Sequence, residues 1–141
     1  MFRRLYEIAD VLRHQARKGS MNPELALGRR GEDIAHRFLQ RAGIIVVARN
    51  YRTSSGSGEV DLIGWEGESL VVVEVKSRRT DEHGAPDRAI GAGKKVALVR
   101  AARDFARHAE VPWEHVRFDI VTVVFGTPPV VTHYRDVFRA A

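Results

Sequence analysis

Charged residues interrupt two otherwise apolar segments near the middle of the chain, Glu59 to Ile63 and Leu70 to Lys76. A glycine-containing stretch separates these extended segments, which predicts two strands joined by a turn. Side chains alternate between the two faces of a strand, so Glu74 shares a face with Lys76. In an antiparallel hairpin, Asp61 would lie opposite or diagonal to Glu74. The pattern therefore predicts that carboxylates and a lysine converge on one face of the hairpin.

The rest of the chain is predicted to form three helices and three further strands. Amphipathic periodicity indicates helices at residues 3–18, at residues 23–42 and from about residue 93 onward. β-Branched runs indicate strands at residues 44–48, 116–125 and 130–134. In the third helix the side chains expected to face inward are Val96, Val99, Ala102, Phe105 and Ala106, and those left to solvent or nucleic acid are Lys94, Lys95, Arg103 and Arg107.

Two glycines, Gly28 and Gly31, interrupt the second predicted helix. Each costs about 1 kcal/mol relative to alanine inside a helix. Either the helix packs closely there or it begins later, near Gly28. Glu32 follows directly, and it has two possible roles: a charge favoured at a helix start by the macrodipole, or a further acidic group that leans over the sheet towards Asp61.

Length and composition are typical of one soluble globular domain. The chain has 141 residues, of which 44% are hydrophobic and 29% are charged, and it contains no cysteine. Disulfides and thiolate metal sites are therefore excluded, which is compatible with a reducing compartment. No apolar run approaches the roughly 18 residues of a membrane span, and the N-terminus lacks the apolar core of a secretory signal. We expect a cytoplasmic protein without a membrane partner.

Charge is distributed unevenly along the chain. The net charge is +5, and arginine outnumbers lysine 19 to 4, which favours a polyanionic partner because arginine makes paired contacts with phosphate. Residues 59–74 hold five acidic side chains and no basic one, whereas residues 76–107 hold nine basic and four acidic ones. An acidic pocket with a basic rim fits an enzyme that binds phosphates and cleaves one of them. The alternative is a basic helix face in solvent.

The carboxylates of the predicted hairpin require a compensating charge. Two carboxylates about 4 Å apart repel by roughly 4 kcal/mol at an effective dielectric constant near 20. Mg²⁺ would remove that cost, because it prefers carboxylate oxygens together with water and phosphate. With Lys76 to orient or deprotonate a water, the set suits hydrolysis of a phosphodiester bond. The competing interpretation is a solvent-facing strand, where such cross-strand pairs contribute only about 0.2–1 kcal/mol.

Several other polar residues have two possible roles. Arg49 and Arg52 would either contact phosphate or remain in solvent, and Tyr51 would either stack on a base or sugar or belong to the core. Asp119 would either pair with Arg117 or approach the edge of the site, and we favour the structural pairing. The six histidines show no spacing typical of a zinc-binding helix, so a zinc enzyme is not expected.

An ordered series of short motifs extends over residues 28–124. Its members are Gly28, Gly31-Glu32, Ala35, Leu39, Gly43, Asn50-Tyr51-Arg52, the run from Gly58 to Ile63, the run from Val73 to Lys76, Arg78 and Lys94. This series resembles the YraN-like family of uncharacterised bacterial proteins. That family is similar to the restriction-endonuclease-like, or PD-(D/E)xK, nucleases and within them to archaeal Holliday-junction resolvases. Residues 1–27 are interpreted as a basic helical extension and residues 28–141 as a single nuclease-like domain.

The resemblance implies an α/β, restriction-endonuclease-like fold with a mixed central sheet of about five strands flanked by helices. It further implies that Glu32 is an accessory acid, that Asp61 and Glu74 are metal ligands, and that Lys76 acts on the attacking water. The proline that usually precedes the first aspartate in that superfamily is replaced here by Val60. The side chain at that position is not a ligand, so the implied site is little affected.

Three hypotheses follow for the function. The first is a DNA endonuclease that depends on Mg²⁺ or Mn²⁺ and acts on branched or damaged DNA. Its nucleic-acid-binding residues would be Arg49, Tyr51, Arg52, Arg78, Arg79, Lys94 and Lys95. The second is a non-catalytic nucleic-acid-binding module of the same fold, and the third is a protein-interaction scaffold that uses the first helix. Two incisions across a junction would favour a homodimer, although no segment of the sequence specifies its interface.

Overall fold

The computed structural model describes residues 22–80 and 89–140, and these residues form two helices and five strands. The helices are α1 (Pro23–Arg41) and α2 (Ala92–His108), and the strands are β1 (Ile45–Arg52), β2 (Glu59–Glu66), β3 (Ser69–Arg78), β4 (Val116–Val124) and β5 (Val130–Phe138). A 3₁₀ turn, Trp113–His115, precedes β4. The predicted helix at residues 3–18 lies outside the described residues, and the predicted domain boundary after residue 27 falls within α1.

All five strands belong to one sheet, in which their spatial order equals their order in the chain. Neighbouring strands are antiparallel except β3 and β4, which are parallel. Parallel neighbours need a crossover connection, and the segment that contains α2 provides it. The predicted fold class, a mixed central sheet of about five strands flanked by helices, is confirmed.

Each helix packs on one face of the sheet. Leu39 of α1 belongs to a buried cluster with Val71 and Val73 of β3, whereas Leu98 of α2 belongs to a second cluster with Val72. Because successive side chains of β3 enter different clusters, the centre of this strand is buried on both faces and is uniformly apolar. Glu74 and Lys76, which follow in the same strand, therefore lie where the buried core ends.

Close packing of α1 on the sheet explains one of its interior glycines. Asn22 caps the helix by accepting a main-chain hydrogen bond at 2.8 Å, and Pro23 occupies the first helical position. The helix continues through both glycines, so a later start near Gly28 is wrong. A Cβ atom at Gly31 would lie 1.8 Å from Oγ of Ser77 in β3. Glycine at this position lets the helix approach the strand.

The prediction that β1 ends at Ala48 is wrong. The strand continues to Arg52, because Tyr51 pairs with Val60 and Arg52 pairs with Glu59 of β2. A sequence rich in arginine and asparagine is not a typical strand, and here the pairing with β2 overrides the weak local preference.

The predicted inward stripe of α2 is partly wrong. Val96 is 50% exposed, whereas Leu98, Ala101 and Ala102 are buried. At 3.6 residues per turn, Val96 lies about 200° around the helix from Leu98 and so faces away from the sheet. Phe105 was placed correctly, since it packs against the buried cluster.

The last strand is longer than predicted. β5 does not end at Tyr134 but continues to Phe138. Residues 135 and 136 are polar and lie beyond the β-branched run, yet the ring of Phe138 stacks on that of Phe118 with 4.4 Å between centroids. This apolar contact keeps the end of β5 on β4, with an irregularity in the pairing between Phe118 and Ile120.

Asp119 in β4 is the centre of a buried ionic network. Two nitrogens of Arg117 each donate to its carboxylate at 2.9 Å, Nε2 of His133 lies 2.7 Å from Oδ2, and the main-chain N–H of Asp136 donates at 2.9 Å. Burial opposes the charge of Asp119, but the contacts with His133 and Arg117 outweigh it and lower the pKa of the carboxyl. The predicted structural pairing with Arg117 is confirmed. Arg117 also contacts Glu66 at 2.9 Å.

Candidate active site

The β2–β3 hairpin brings two acids together. Its antiparallel pairing extends as far as Leu62 with Val73. Continued by one residue, the register sets Asp61 opposite Glu74, as the alternation of side chains predicted. The main-chain N–H of Val75 donates to Oδ2 of Asp61 at 2.7 Å. The Asp61 carboxylate therefore contacts the backbone of β3 at the end of the paired region.

The two acids are only partly compensated by positive charge. Glu74 is 5% exposed, and burial, followed by the charge of Asp61, raises the pKa of the Glu74 carboxyl. Burial also raises the pKa of Asp61, and the charges of Glu32 and Glu59 act in the same direction, whereas the hydrogen bond from Val75 opposes them. Neighbouring carboxylates with raised pKa values mark a place that favours a cation.

Lys94 of α2 lies within this acidic group. Its Nζ is 3.3 Å from Oε1 of Glu74 and 3.9 Å from Oε1 of Glu59. Partial burial opposes its charge, but Glu74 and Asp61 outweigh that effect and raise the pKa of the Lys94 ammonium. Sequence reasoning left this lysine to solvent or nucleic acid. The structure leaves its side chain 48% exposed and also places its amine beside the acids.

Lys76 lies on the predicted strand and near the predicted acid. Its charge lowers the pKa of Glu74, although less than burial raises it. Its Nζ donates a hydrogen bond to the main-chain carbonyl of Ala89, just before α2. The structure therefore brings Lys76 to the site but directs its amine towards this connection.

Glu32 reaches the site from α1. It lies well past the first turn of the helix, so the alternative of a helix-start charge is wrong, because the macrodipole acts mainly within that turn. Its Oε2 accepts hydrogen bonds at 3.2 Å from Arg29 and from Asn50, and Nη2 of Arg49 lies 3.7 Å away. Its charge also acts on Asp61. The interpretation of Glu32 as an acid that leans towards Asp61 agrees with this geometry.

The predicted nucleic-acid-binding residues do not form one open basic surface. Most of them have partners within the chain: Arg49 with Asp33 at 2.8 Å, Arg52 with Glu59 at 3.4 Å, Arg79 with Glu24 at 2.7 Å, Lys94 with Glu74, and Lys95 over the ring of Phe138 at 4.5 Å. Arg78 is partly buried in β3. Their binding role stays a prediction, and each would have to exchange or share a partner to bind phosphate.

Tyr51 belongs to the interface between the sheet and α2. Its ring contacts that of Phe105 edge-on at 5.3 Å, and its hydroxyl donates to Oδ2 of Asp104. This hydrogen bond, more than burial, raises the pKa of Tyr51 to about 12. Of the two roles left open by the sequence, the core role agrees with these contacts.

The carboxylate oxygens at the site determine which metal ions it could bind. In the described ranges, 22–80 and 89–140, no group of three or more His, Asp or Glu side chains is arranged to hold a metal ion. Asp61 and Glu74 offer two carboxylates. This set suits Mg²⁺ or Mn²⁺, since Mg²⁺ commonly takes one or two carboxylates and completes its shell with water and phosphate.

Comparison with known families decides the relationship of the chain. The sequence model of the uncharacterised protein family UPF0102 matches residues 31–123. The chain belongs to this family. The match includes every residue of the acidic site, from Glu32 on α1 to Lys94 on α2. The expected membership of an uncharacterised family is thereby confirmed at this level.

Similar UPF0102 proteins come from several bacteria. One from Solibacter usitatus is 47% identical over 134 residues, covering 95% of this chain and 97% of that protein. One from Rhodococcus opacus is 42% identical over 120 residues, covering 84% of this chain and all of that protein. One from Koribacter versatilis is 40% identical over 115 residues.

The contacts of two site residues were not predicted from the sequence. Asn50 was quoted as part of a motif but received no role, although an asparagine inside a strand is unusual enough to have drawn attention. Lys94 is exposed as predicted, but its contact with Glu74 was not predicted, because it depends on where α2 crosses the sheet.

Among the described helices, none is long and apolar enough to span a membrane.

Proposed function

We propose that this UPF0102 protein is an endonuclease that depends on Mg²⁺ or Mn²⁺ and hydrolyses phosphodiester bonds in the cytoplasm, with branched or damaged DNA as its expected substrate. One observation carries the proposal. Asp61 and Glu74 are neighbouring carboxylates with raised pKa values, and the nearby Lys94 compensates their charge only in part. Such an arrangement is costly for a protein that only binds phosphates, since the acids would repel the ligand.

The donor set fits a hard divalent cation. Asp61 and Glu74 would hold it, and both supply the oxygen ligands that such a cation prefers. Once bound, the cation would lower the pKa of a water and stabilise negative charge on the phosphate. Glu32 would act as an accessory acid, adding negative charge from α1.

Two lysines would act on the substrate. Lys76 would orient the attacking water, or accept a proton from it when its amine is neutral, after exchanging its contact with the Ala89 carbonyl. Lys94 would move from Glu74 to a substrate phosphate, because a cation held by the acids would replace its charge there. Both steps need only side-chain movements of long, flexible residues.

The test is cleavage of a labelled panel in Mg²⁺ or Mn²⁺: linear duplex, single strand, flap, four-way junction and RNA. Wild type would be compared with Asp61→Asn and Lys76→Ala, and the control is Glu68→Gln, an exposed acid in the turn of the same hairpin. Circular dichroism checks that each variant is folded. We expect metal-dependent cutting that falls at least about 100-fold in both site variants and persists in the control. Metal-dependent cutting that survives in both variants contradicts the proposal.

A second function, a non-catalytic nucleic-acid-binding module, is favoured by the present contacts of the lysines. Lys94 is 3.3 Å from Glu74, and Lys76 is bonded to a main-chain carbonyl, so both amines have partners within the chain. Such a module would bind nucleic acid with a log–log salt slope near −5 for about six phosphate contacts. Salt-sensitive binding without cutting, unchanged by Lys76→Ala, would select it over the nuclease.

A further inference from the structure

Asn50 has an unusual backbone conformation inside β1. Its φ angle is 51°, a left-handed value that non-glycine residues seldom adopt and that asparagine tolerates best. The residues on either side of it pair with Leu62 and Val60 of β2, so Asn50 is in register with Asp61. The irregular residue of β1 therefore faces the position of a proposed metal ligand.

This conformation lets two consecutive side chains reach the same helix. Arg49 contacts Asp33 of α1 at 2.8 Å, and the next residue, Asn50, donates from Nδ2 to Oε2 of Glu32 at 3.2 Å. In a regular strand consecutive side chains point to opposite faces, so only one of them could contact α1. The positive φ angle of Asn50 accounts for the second contact.

The partners of Glu32 differ in charge. Arg29 and Arg49 are cations, whereas Asn50 is a neutral donor. The Glu32 side chain is 13% exposed, so these donors define its orientation. A neutral amide orients a carboxylate without cancelling its charge, whereas a third cation next to Asp61 would repel a divalent cation.

We propose that Asn50 is a positioning residue, which holds the Glu32 carboxylate beside Asp61 and so strengthens the binding of a divalent cation there. This inference rests on the proposed function. It also explains why a residue with a poor strand preference occupies this place in β1, since asparagine combines tolerance of positive φ with a side-chain donor.

The main test is Mn²⁺ binding to the full chain without nucleic acid, measured by isothermal titration calorimetry. Asn50→Gly removes the amide but adopts a positive φ angle without steric cost, so the fold should be retained. We expect its Mn²⁺ affinity to fall about tenfold, the size of loss typical for residues that surround a metal site without binding the metal directly. With nucleic acid, kcat should fall while KM stays unchanged. The matched control is Glu110→Gly, which replaces another residue with positive φ, 55°, and should leave the affinity unchanged.

A double variant tests whether Asn50 acts through Glu32. Glu32→Ala alone should weaken Mn²⁺ binding at least as much as Asn50→Gly, and Asn50→Gly should then add no further loss in the Glu32→Ala background. A full additional loss would mean that Asn50 acts by another route and would overturn the inference.

The remaining outcomes separate the inference from the proposed function. If the wild type binds Mn²⁺ and Asn50→Gly binds it within twofold, the positioning role is overturned while the proposed function stands. If the wild type neither binds Mn²⁺ nor cuts any member of the panel, the proposed function is overturned, and this inference with it. Thermal unfolding of each variant shows whether a lost affinity reflects a lost fold.

Discussion

Two buried acids on neighbouring strands have opposite electrostatic surroundings. Asp119 of β4 is in register with Val73, the residue before Glu74 in β3, but it lies on the face covered by α1, where Phe38 contacts its partner His133. Asp119 is surrounded by hydrogen-bond donors and its pKa is lowered. Glu74 lies among other carboxylates and its pKa is raised.

Burial alone therefore does not determine whether a carboxyl group in this protein is protonated. Burial favours the neutral form of both carboxyls, and the difference comes from their partners. A network that satisfies its charges internally stabilises the fold, whereas an acidic group left short of positive charge is suited to bind an external cation. Four measurements test this contrast.

The largest effect is expected for Asp119→Ala. Removing the acid leaves Arg117 and His133 without their buried partner, and breaking a buried pair in this way costs about 3 kcal/mol or more. Urea unfolding at pH 7 would measure the loss of free energy of unfolding. A loss below about 1 kcal/mol would mean that this network is not structural, and the contrast would fail.

Glu74→Gln should have the opposite sign. At pH 8 without metal, we expect the free energy of unfolding to rise by about 1–2 kcal/mol, because each unit of raised pKa costs about 1.4 kcal/mol and the lost Lys94 contact offsets part of the gain. Glu68→Gln, in the exposed turn, is the control and should change stability by less than about 0.5 kcal/mol. If Glu74→Gln is destabilised, the charge of Glu74 must already be compensated by its neighbours, as that of Asp119 is.

The free energy of unfolding of the metal-free wild type should depend on pH through both acids. With its raised pKa, Glu74 keeps a proton in the folded state that the unfolded chain has released, so the free energy of unfolding decreases as the pH rises from about 4.5 to about 7. With its lowered pKa, Asp119 contributes stability that is lost as the pH falls below about 4. Urea unfolding between pH 3 and pH 8 measures both limbs. The upper limb should shrink in Glu74→Gln to the part that Asp61 contributes, since burial raises the pKa of that acid as well, and an unchanged limb would exclude Glu74 as a cause.

The smallest effect is expected for Lys94→Met. Because Lys94 is half-exposed, losing its contact with Glu74 should cost only about 0.5 kcal/mol of metal-free stability. The same change removes a competing cation, so we expect Mn²⁺ to bind about threefold more tightly. Lys95→Met is the control, since Lys95 lies over Phe138 instead of the acids. Equal effects of the two substitutions would show that Lys94 does not compete for the site.

The part of the site that depends on local rules was predictable. Side chains of a strand alternate with a period of two, so the sequence of one hairpin was enough to predict that Asp61 lies opposite or diagonal to Glu74. The pairing of Asp119 with Arg117 follows the same rule, because the two are separated by one residue in β4. The fold class followed from the resemblance of ordered motifs.

The rest depends on distant contacts. The place of Lys94 is determined by how α2 packs after a long crossover, which no local pattern specifies, and the same packing leaves Val96 exposed. The contact of Asn50 with Glu32 depends on one dihedral angle. Tyr51 was ambiguous, because an aromatic residue beside arginines suits both a binding surface and a core.

The contact between Gly31 and Ser77 also sets a distance within the site. A Cβ atom at Gly31 would lie 2.9 Å from Cβ of Ser77, so any larger residue would have to lift α1 away from β3. The next residue on the helix is Glu32, and the preceding residue on the strand is Lys76. Gly31 therefore sets the distance between α1 and β3 at the site. A larger residue at this position would move Glu32 away from Lys76 although neither of the two is changed.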